Sequence, residues 1–382
     1  MRQRAYLDWN ATTPLRPEAR EAMVAAMDVA GNPSSVHAEG RAAKGLIEKA
    51  RAQVAAAFGA EGADIVFTSG ATEAAALALQ VRSALRGEGV APKLIASSVE
   101  HDCLEAQAGD VPRIAVDASG RAVFPGATDW QDYLGGGNIF ALQSANSETG
   151  VLQDVEAFAA AIREMDPEGS YVLSDMTQSF GKVPVAFNWS GADMALISAH
   201  KLGGPKGVGA LVIRQGTDIA AAIKGGGQEM GRRSGTENVI GIAGFGAAAE
   251  AATRDLDGET WPGVAKLRNI LESTIAAEAK ETIFLGEGAN RIPNTSCFAT
   301  PGWKGETQVM QMDLAGFAIS AGSACSSGKV RESRVLRAME FDAGVAASAV
   351  RVSLGPETTE DEVMRFCEAW LGQYRKFRAR AA

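Results

Sequence analysis

Cysteine is scarce in this chain: Cys103, Cys297, Cys325 and Cys367 are the four in 382 residues. They lie too far apart for a CxxC redox or metal pair and are too few for a disulfide scaffold, so a reducing compartment fits best and no metal is expected. No apolar run approaches the ~20 residues that cross a bilayer, and the charged start MRQRAYLDWNATTP has no continuous apolar segment behind it. The expectation is a cytoplasmic protein, neither exported nor membrane-bound. Basic charge is also in deficit. With 37 Lys and Arg against 46 Asp and Glu the formal net charge is -9, which repels phosphate backbones and argues against nucleic acid as a direct partner. Internal repeats and low-complexity tracts are missing, as is the GxxxxGK[ST] signature of a nucleotide loop.

What is present is the material of a large globular fold. The length exceeds the ~250 to 300 residues at which one hydrophobic core stops growing, so two domains are expected. Short apolar runs alternate with helical patterns in the middle of the chain, the sign of a mostly parallel sheet covered by helices. The runs are DIVFTS (64–69), KLIASS (93–98), NIFALQS (138–144), YVLSD (171–175), DMALIS (193–198) and GALVIR (209–214). Ala19, Ala22, Met23, Ala26, Met27 and Ala30 predict a helix stopped by Gly31; Leu77, Val81, Ala84 and Leu85 predict another ended by Gly87. A small-residue helix over about 238–252 leads to a polar stretch near Asp255 to Gly263, where a domain boundary is expected. Beyond it come a helix carrying Val264, Leu267, Leu271 and Ile275, short strands, and a last helix presenting Val363, Phe366, Cys367, Trp370, Leu371 and Tyr374. Thr359 and Glu362 read as its capping box.

Five strings could carry chemistry. TSGATE (68–73) turns from a strand into a helix, and is either an anion site built on free helix-start N–H groups or an ordinary cap by Ser69 or Thr72. Lys201 in SAHKLGGPKG ends an apolar run after His200; it is either a lysine that forms an imine or one that snorkels to the surface. Lys206 in the same string reads as a loop lysine. Asp175, with Gln178 beyond it, sits at a strand's carboxyl end, where open α/β sheets place ligand contacts, although turns and helix caps use aspartate there too. His101 in EHDC also follows a strand. Cys325 in SAGSACSSGK lies among glycine and small polar residues, the composition of an exposed loop, whereas Cys297 and Cys367 read as core.

Taken in order, these strings resemble the cysteine desulfurases of the class V aminotransferase family, pyridoxal-phosphate enzymes of fold type I. The resemblance runs from YLDWNATTP and GNPSSVHAEGR to VRVSLG (350–355), and SAGSACSSG marks the branch with a long cysteine loop. It implies an α/β fold, a mostly parallel sheet flanked by helices, with a smaller α+β C-terminal domain. The expected division is 16–255 for the large cofactor-binding domain, and 1–15 with 256–382 for the small domain that carries the cysteine loop. It also implies that Lys201 forms an imine with pyridoxal 5'-phosphate and acts as the base. Asp175 would pair with the pyridine nitrogen, Gln178 would hydrogen-bond the ring hydroxyl, and His101 would stack on the ring. Ala71, Thr72, Ser198 and His200 would hold the phosphate, joined by Thr236 of the partner subunit. Arg351 would take the substrate carboxylate, assisted by Asn32. Ser147 stands where many relatives have an asparagine that contacts the ring hydroxyl.

The activity so implied is conversion of L-cysteine to L-alanine by a homodimer. Its sulfur would pass to Cys325 as a persulfide and then to an acceptor protein, for iron-sulfur clusters or thiolated cofactors. The chain ends at RKFRARAA, without the longer tail by which some housekeeping members engage a scaffold, so the acceptor stays open. The competing readings are a selenocysteine lyase, another class V enzyme of aminotransferase type, and a non-catalytic sulfur-relay scaffold.

Overall fold

The computed structural model describes residues 4–85, 90–124, 126–167, 169–322 and 332–381. Its strands in chain order are β1 (Ala5–Tyr6), β2 (Asp64–Thr68), β3 (Leu94–Ala96), β4 (Ile139–Ala141), β5 (Tyr171–Asp175), β6 (Met194–Ser198), β7 (Gly209–Ile213), β8 (Ile283–Phe284), β9 (Thr295–Ala299), β10 (Phe317–Ala318), β11 (Ser320–Ala321) and β12 (Ala349–Ser353). β2 to β7 form one sheet, in the order β2-β7-β6-β5-β4-β3. β3 to β6 run parallel, and β7 is antiparallel to both β6 and β2. All the strands except β7 therefore end on the same edge, and β7 begins there.

Alternate residues of these strands feed two cores. Ile65, Phe67, Phe140, Val172, Ile197 and Val212 pack with residues of the helices Ala38–Ala57 and Val239–Asp257. Val66, Ile139, Leu173, Leu196 and Leu211 pack on the other face with the helix Ala71–Ala78. Burial on both faces explains why the sequence shows continuous apolar runs rather than alternation.

The six expected strands are all present; β5 matches its run, β2, β6 and β7 are each one residue shorter, and β3 and β4 three or four residues shorter. The helices differ more. The one expected to reach Leu85 stops at Ala78. Val81 forms an antiparallel bridge with Ile219, and the Arg82 N–H donates to the Asp218 carbonyl, so pairing with a distant segment overrides the local helical period. The first helix is Pro17–Met27 and ends short of Ala30. The small-residue helix continues to Asp257, and the next, Thr260–Glu278, follows after Gly258 and Glu259. The polar stretch taken as a boundary is thus largely helical, because Pro262 falls in a first turn that needs no N–H there and Trp261 is buried.

β8, β9, β11 and β12 make an antiparallel sheet in the order β11-β12-β9-β8, and β1 pairs in parallel with β10. Thr260–Glu278 and Glu360–Ala381 pack against it through Leu271, Ile275, Val363, Phe366 and Trp370. The expected capping box is formed: the Thr359 N–H donates to Glu362 Oε2 at 2.9 Å, and the Glu362 N–H to Thr359 Oγ1 at 3.3 Å. Among the described residues no helix is long and apolar enough to cross a membrane.

Candidate active site

The carboxyl edge of the large sheet opens into a cavity of about 630 Å³. Each strand ending there contributes to its wall. Ala71 and Thr72 follow β2, His101 follows β3, Ser147 follows β4, Asp175 ends β5 with Gln178 just beyond it, and Ser198 ends β6 with His200 and Lys201 after it. Nine of the residues singled out in the sequence therefore share one cavity, in the place where open α/β sheets bind ligands.

Lys201 ends a single 3-10 turn, Ala199–Lys201, and the chain then reverses through Gly203 at φ +91°, a conformation that disfavours any side chain. The segment after β1 clasps this turn. The Thr13 N–H donates to the His200 carbonyl at 2.8 Å, and Arg16 Nε to the Leu202 carbonyl at 2.8 Å. Lys201 Nζ donates to the Asn10 and Ala11 carbonyls at 2.6 and 3.0 Å. The amine is held inward by two backbone acceptors, which excludes the snorkelling alternative.

The helix Ala71–Ala78 has Gly70 as its N-cap and no side-chain cap; the Ser69 N–H goes instead to Glu73 Oε2 at 2.8 Å. Neither Ser69 nor Thr72 is the cap, so the first-turn N–H groups face the cavity as an anion-type donor set. His200 Nδ1 lies 3.1 Å from Thr12 Oγ1. Burial, then the charges of Lys201, Lys206 and Lys182, lower its pKa to about 4, so the ring is neutral near pH 7. His101 is the N-cap of the short helix Asp102–Glu105, its Nδ1 accepting the Cys103 N–H at 3.2 Å. That bond leaves Nδ1 without a proton and fixes the ring plane.

Asp175 is buried, and its Oδ1 accepts the Thr177 N–H at 2.9 Å. The turn role and the cavity position coexist in this residue. Beside His101 lies buried Glu100, whose Oε1 accepts the Gln143 N–H at 2.6 Å and the Ser97 hydroxyl at 2.8 Å. Burial first, and the nearby Asp175 charge second, raise its pKa to about 8.

Three singled-out residues lie elsewhere. Arg351 on β12 is buried behind the wall, its guanidinium donating to Asp8 Oδ1 at 2.8 Å and to the carbonyl of Ser147 at 2.9 Å. Asn32 is exposed and uses its Oδ1 to accept the Ser34 N–H at 2.9 Å. Thr236 borders a neighbouring groove with Ser69, Gly207 and Arg233. Cys325 lies outside the described residues. Lys206 is the loop lysine expected, and it also lines the cavity; sequence reasoning missed Asn10, Lys182 and Asp8. None of the three carries a local signal: Lys182 follows a glycine as many loop lysines do, and Asn10 and Asp8 meet residues far away in the chain.

A lysine and a carboxylate at the carboxyl edge of a mostly parallel sheet, with an anion-type donor set beside them, define an α/β enzyme built around a small-molecule site. The chain belongs to the class-V aminotransferase family, whose model matches residues 5–366. A cysteine desulfurase of Cereibacter sphaeroides is 41% identical over 380 residues, covering 96% of this chain and 94% of the relative. The NifS-like protein of Rickettsia africae has the same fold, with a TM-score of 0.86, 31% identity, and coverage of 98% of this chain and 100% of its own. SspA, solved in complex with cysteine, matches with a TM-score of 0.76 and 27% identity, over 93% of this chain and 100% of its own.

Proposed function

We propose that this protein is a pyridoxal-phosphate-dependent cysteine desulfurase, which converts L-cysteine to L-alanine and takes the sulfur onto Cys325 as a persulfide. The observation that carries the reading is the gathering of Lys201, Asp175, His101 and Gln178 in one cavity beside the uncapped helix start. The donor set fits the cofactor. Ala71 and Thr72 at the helix start, with Ser198 and neutral His200, would hold its phosphate; Asp175, Gln178 with Ser147, and His101 would meet the pyridine nitrogen, the ring hydroxyl and the ring face. Lys201 Nζ would be the point of covalent attachment. When bound, pyridoxal 5'-phosphate supplies an electron sink for the pair released at the substrate's Cα.

The chain's own groups supply the rest. Lys201 Nζ takes the Cα proton and later returns it, and the Asn10 and Ala11 carbonyls stabilise the ammonium while it holds that proton. Asp175, buried and anchored by Thr177, stays fixed as an acceptor. Arg351 would take the substrate carboxylate by exchanging its bonds to Asp8 and the Ser147 carbonyl for that group, with Asn32, exposed outside the cavity, brought in to assist. The Cys325 thiolate would form a bond to the substrate sulfur as the bond from that sulfur to Cβ breaks, its electron pair staying with the three-carbon fragment, which takes up a proton to give alanine. The large part, 16–255, carries the cofactor, and residues 1–15 with 256–382 form the part that carries Arg351 and Cys325. Thr236 borders a groove next to the cavity rather than the cavity itself, which suits a homodimer in which it reaches the phosphate of the second copy. A cytoplasmic setting and a protein acceptor for the persulfide complete the reading.

The test is borohydride reduction of the cofactor-loaded protein with peptide mapping, together with alanine and sulfide release from L-cysteine by wild type and Cys325→Ala. Modification at Lys201 and loss of sulfur release in the variant are expected. An unmodified Lys201, or full activity with cysteine in Cys325→Ala, overturns the proposal; the latter result would favour a lyase or aminotransferase without a persulfide.

A further inference from the structure

Lys182 has no task in the proposed reaction, yet it is buried against the residues that hold Lys201. It is 3% exposed, and its Nζ donates to Asn10 Oδ1 at 3.1 Å and to Gln178 Oε1 at 2.5 Å. Gln178 Nε2 in turn donates to the Asn10 carbonyl at 3.0 Å, the same oxygen that accepts Lys201 Nζ. Asn10 is itself pinned, its Nδ2 donating to Thr295 Oγ1 and its Oδ1 also accepting from Asn294. Both lysines border one void of about 10 Å³, room for about one water at most.

We propose that Lys182 is a positioning residue for this site, locking the Gln178 amide in one orientation and acting as a second cation that drives the proton off Lys201. It rests on the desulfurase reading only in that Lys201 must serve as an amine base. The first half follows from donor chemistry. A lysine has no acceptor and a carbonyl has no donor, so Gln178 must turn its oxygen to Lys182 and its NH2 to Asn10. One Nε2 hydrogen is thereby left for an occupant of the cavity.

The second half follows from opposed influences on Lys201. Two carbonyl acceptors favour its ammonium form, which alone would make it a poor base near pH 7. A like charge on the shared Asn10 network pushes the other way, as in other lysine bases placed beside a cation. Burial, then the charges of Lys201 and Arg351, push the pKa of Lys182 well down, which the Asn10 and Gln178 side-chain oxygens oppose by accepting from its ammonium; the repulsion between the two amines is reciprocal. The other charged or titratable groups around the two lysines are Glu73, Asp175, His101 and Lys206 on the cavity, Arg16 with its partner Asp255 at the shared void, and Arg351 with Asp8 behind the wall, His200 being neutral.

The experiment labels the full-length cofactor-free protein with an acylating anhydride across a pH series and maps each lysine by mass spectrometry. In wild type Lys201 should reach half-reaction below the ordinary lysine value of about 10.4. Lys182→Met should raise that half-point by about one pH unit, and Lys182→Arg should leave it near wild type. The titration of the loaded enzyme's visible absorption should move upward in the Met variant as well. An unchanged half-point in Lys182→Met overturns the proposal. If that variant does not fold, a wild-type half-point at the ordinary value overturns it alone. Failure of wild type to release sulfur from cysteine would sink the desulfurase reading and leave the Lys182 proposal to be decided by the labelling.

Discussion

The carboxyl edge of the large sheet and the face of the C-terminal sheet are both deeply buried, but what they bury differs. Asn10, Gln143, Asp175, Gln178, Lys182 and Ser198 crowd the first, and each is buried. The second is aromatic: Trp370 packs on Tyr374, Phe298 and Trp303 with ring centroids 5.6, 5.4 and 5.1 Å apart. Buried polar groups satisfy one another at a free-energy cost that an apolar core avoids, and their concentration at one edge marks where binding and proton movement are done. The aromatic face holds Arg351 and its sheet in place without touching the cavity. Changes at the edge should therefore act on activity, and changes at the face on stability.

The largest expected effect is at Lys201. Lys201→Ala should lower cysteine turnover by about 10⁴-fold, equivalent to about 5 kcal/mol, because one amine serves as tether and base. Its thermal midpoint should stay near that of wild type, since the buried Asn10 carbonyl keeps its bond from Gln178 Nε2 and Ala11 lines the open cavity. Circular dichroism melting beside an alanine assay decides this, and a collapse in stability would break the contrast between the regions.

Trp370→Ala is the converse. Deleting this fully buried ring should cost about 4 kcal/mol, and it also removes the donor that Gln308 Oε1 accepts from at 2.9 Å. Turnover per folded molecule, counted by denaturant titration, should change less than twofold.

How far these regions were legible in the sequence follows the same division. The strands of the large sheet stood out because burial on both faces leaves unbroken apolar runs, and Lys201 and Asp175 stood out because they end such runs. Phe366, Trp370 and Tyr374 were legible from helical period, while Trp303, which packs on Trp370, was not singled out. Val81 misled, because its period continues a helix while its backbone pairs with Ile219. Lys182 and Asn10 were illegible for a different reason: their meaning lies in hydrogen bonds between residues 172 apart, and a lysine after a glycine looks like any loop lysine. Periodicity reports which face of an element is buried; it does not report which polar groups meet beneath it.

A pH effect should come next in size. Glu100 has its pKa raised from 4.5 to about 8. The native state thus binds this proton more tightly than the unfolded chain, so the carboxyl's contribution is complete below about pH 4.5 and is lost as pH rises through about 8. Glu100→Gln keeps an acceptor for the Gln143 N–H and never ionises. Its stability should match wild type at pH 5 and exceed it at pH 9 by on the order of 2 kcal/mol. Parallel denaturation curves at the two pH values would show whether this buried carboxyl is neutral in the working protein; equal stabilities at both would place its proton elsewhere.

The smallest pair of changes tests whether the contrast belongs to the site or to the scaffold as a whole. Each region has a capped helix outside the cavity: Asp154 Oδ1 accepts the Ala157 N–H at 2.9 Å at the start of Val155–Met165, and Thr359 Oγ1 accepts the Glu362 N–H at 3.3 Å. Each cap meets one first-turn donor at an exposed helix end, so Asp154→Ala and Thr359→Ala should each cost about 1 kcal/mol and leave turnover unchanged. If the two costs agree, the same local physics builds both regions, and what sets the first apart is only the polar cluster at its edge. If Asp154→Ala instead lowers turnover more than twofold, the large sheet transmits strain from its helices to Asp175, and the boundary drawn between site and scaffold is in the wrong place.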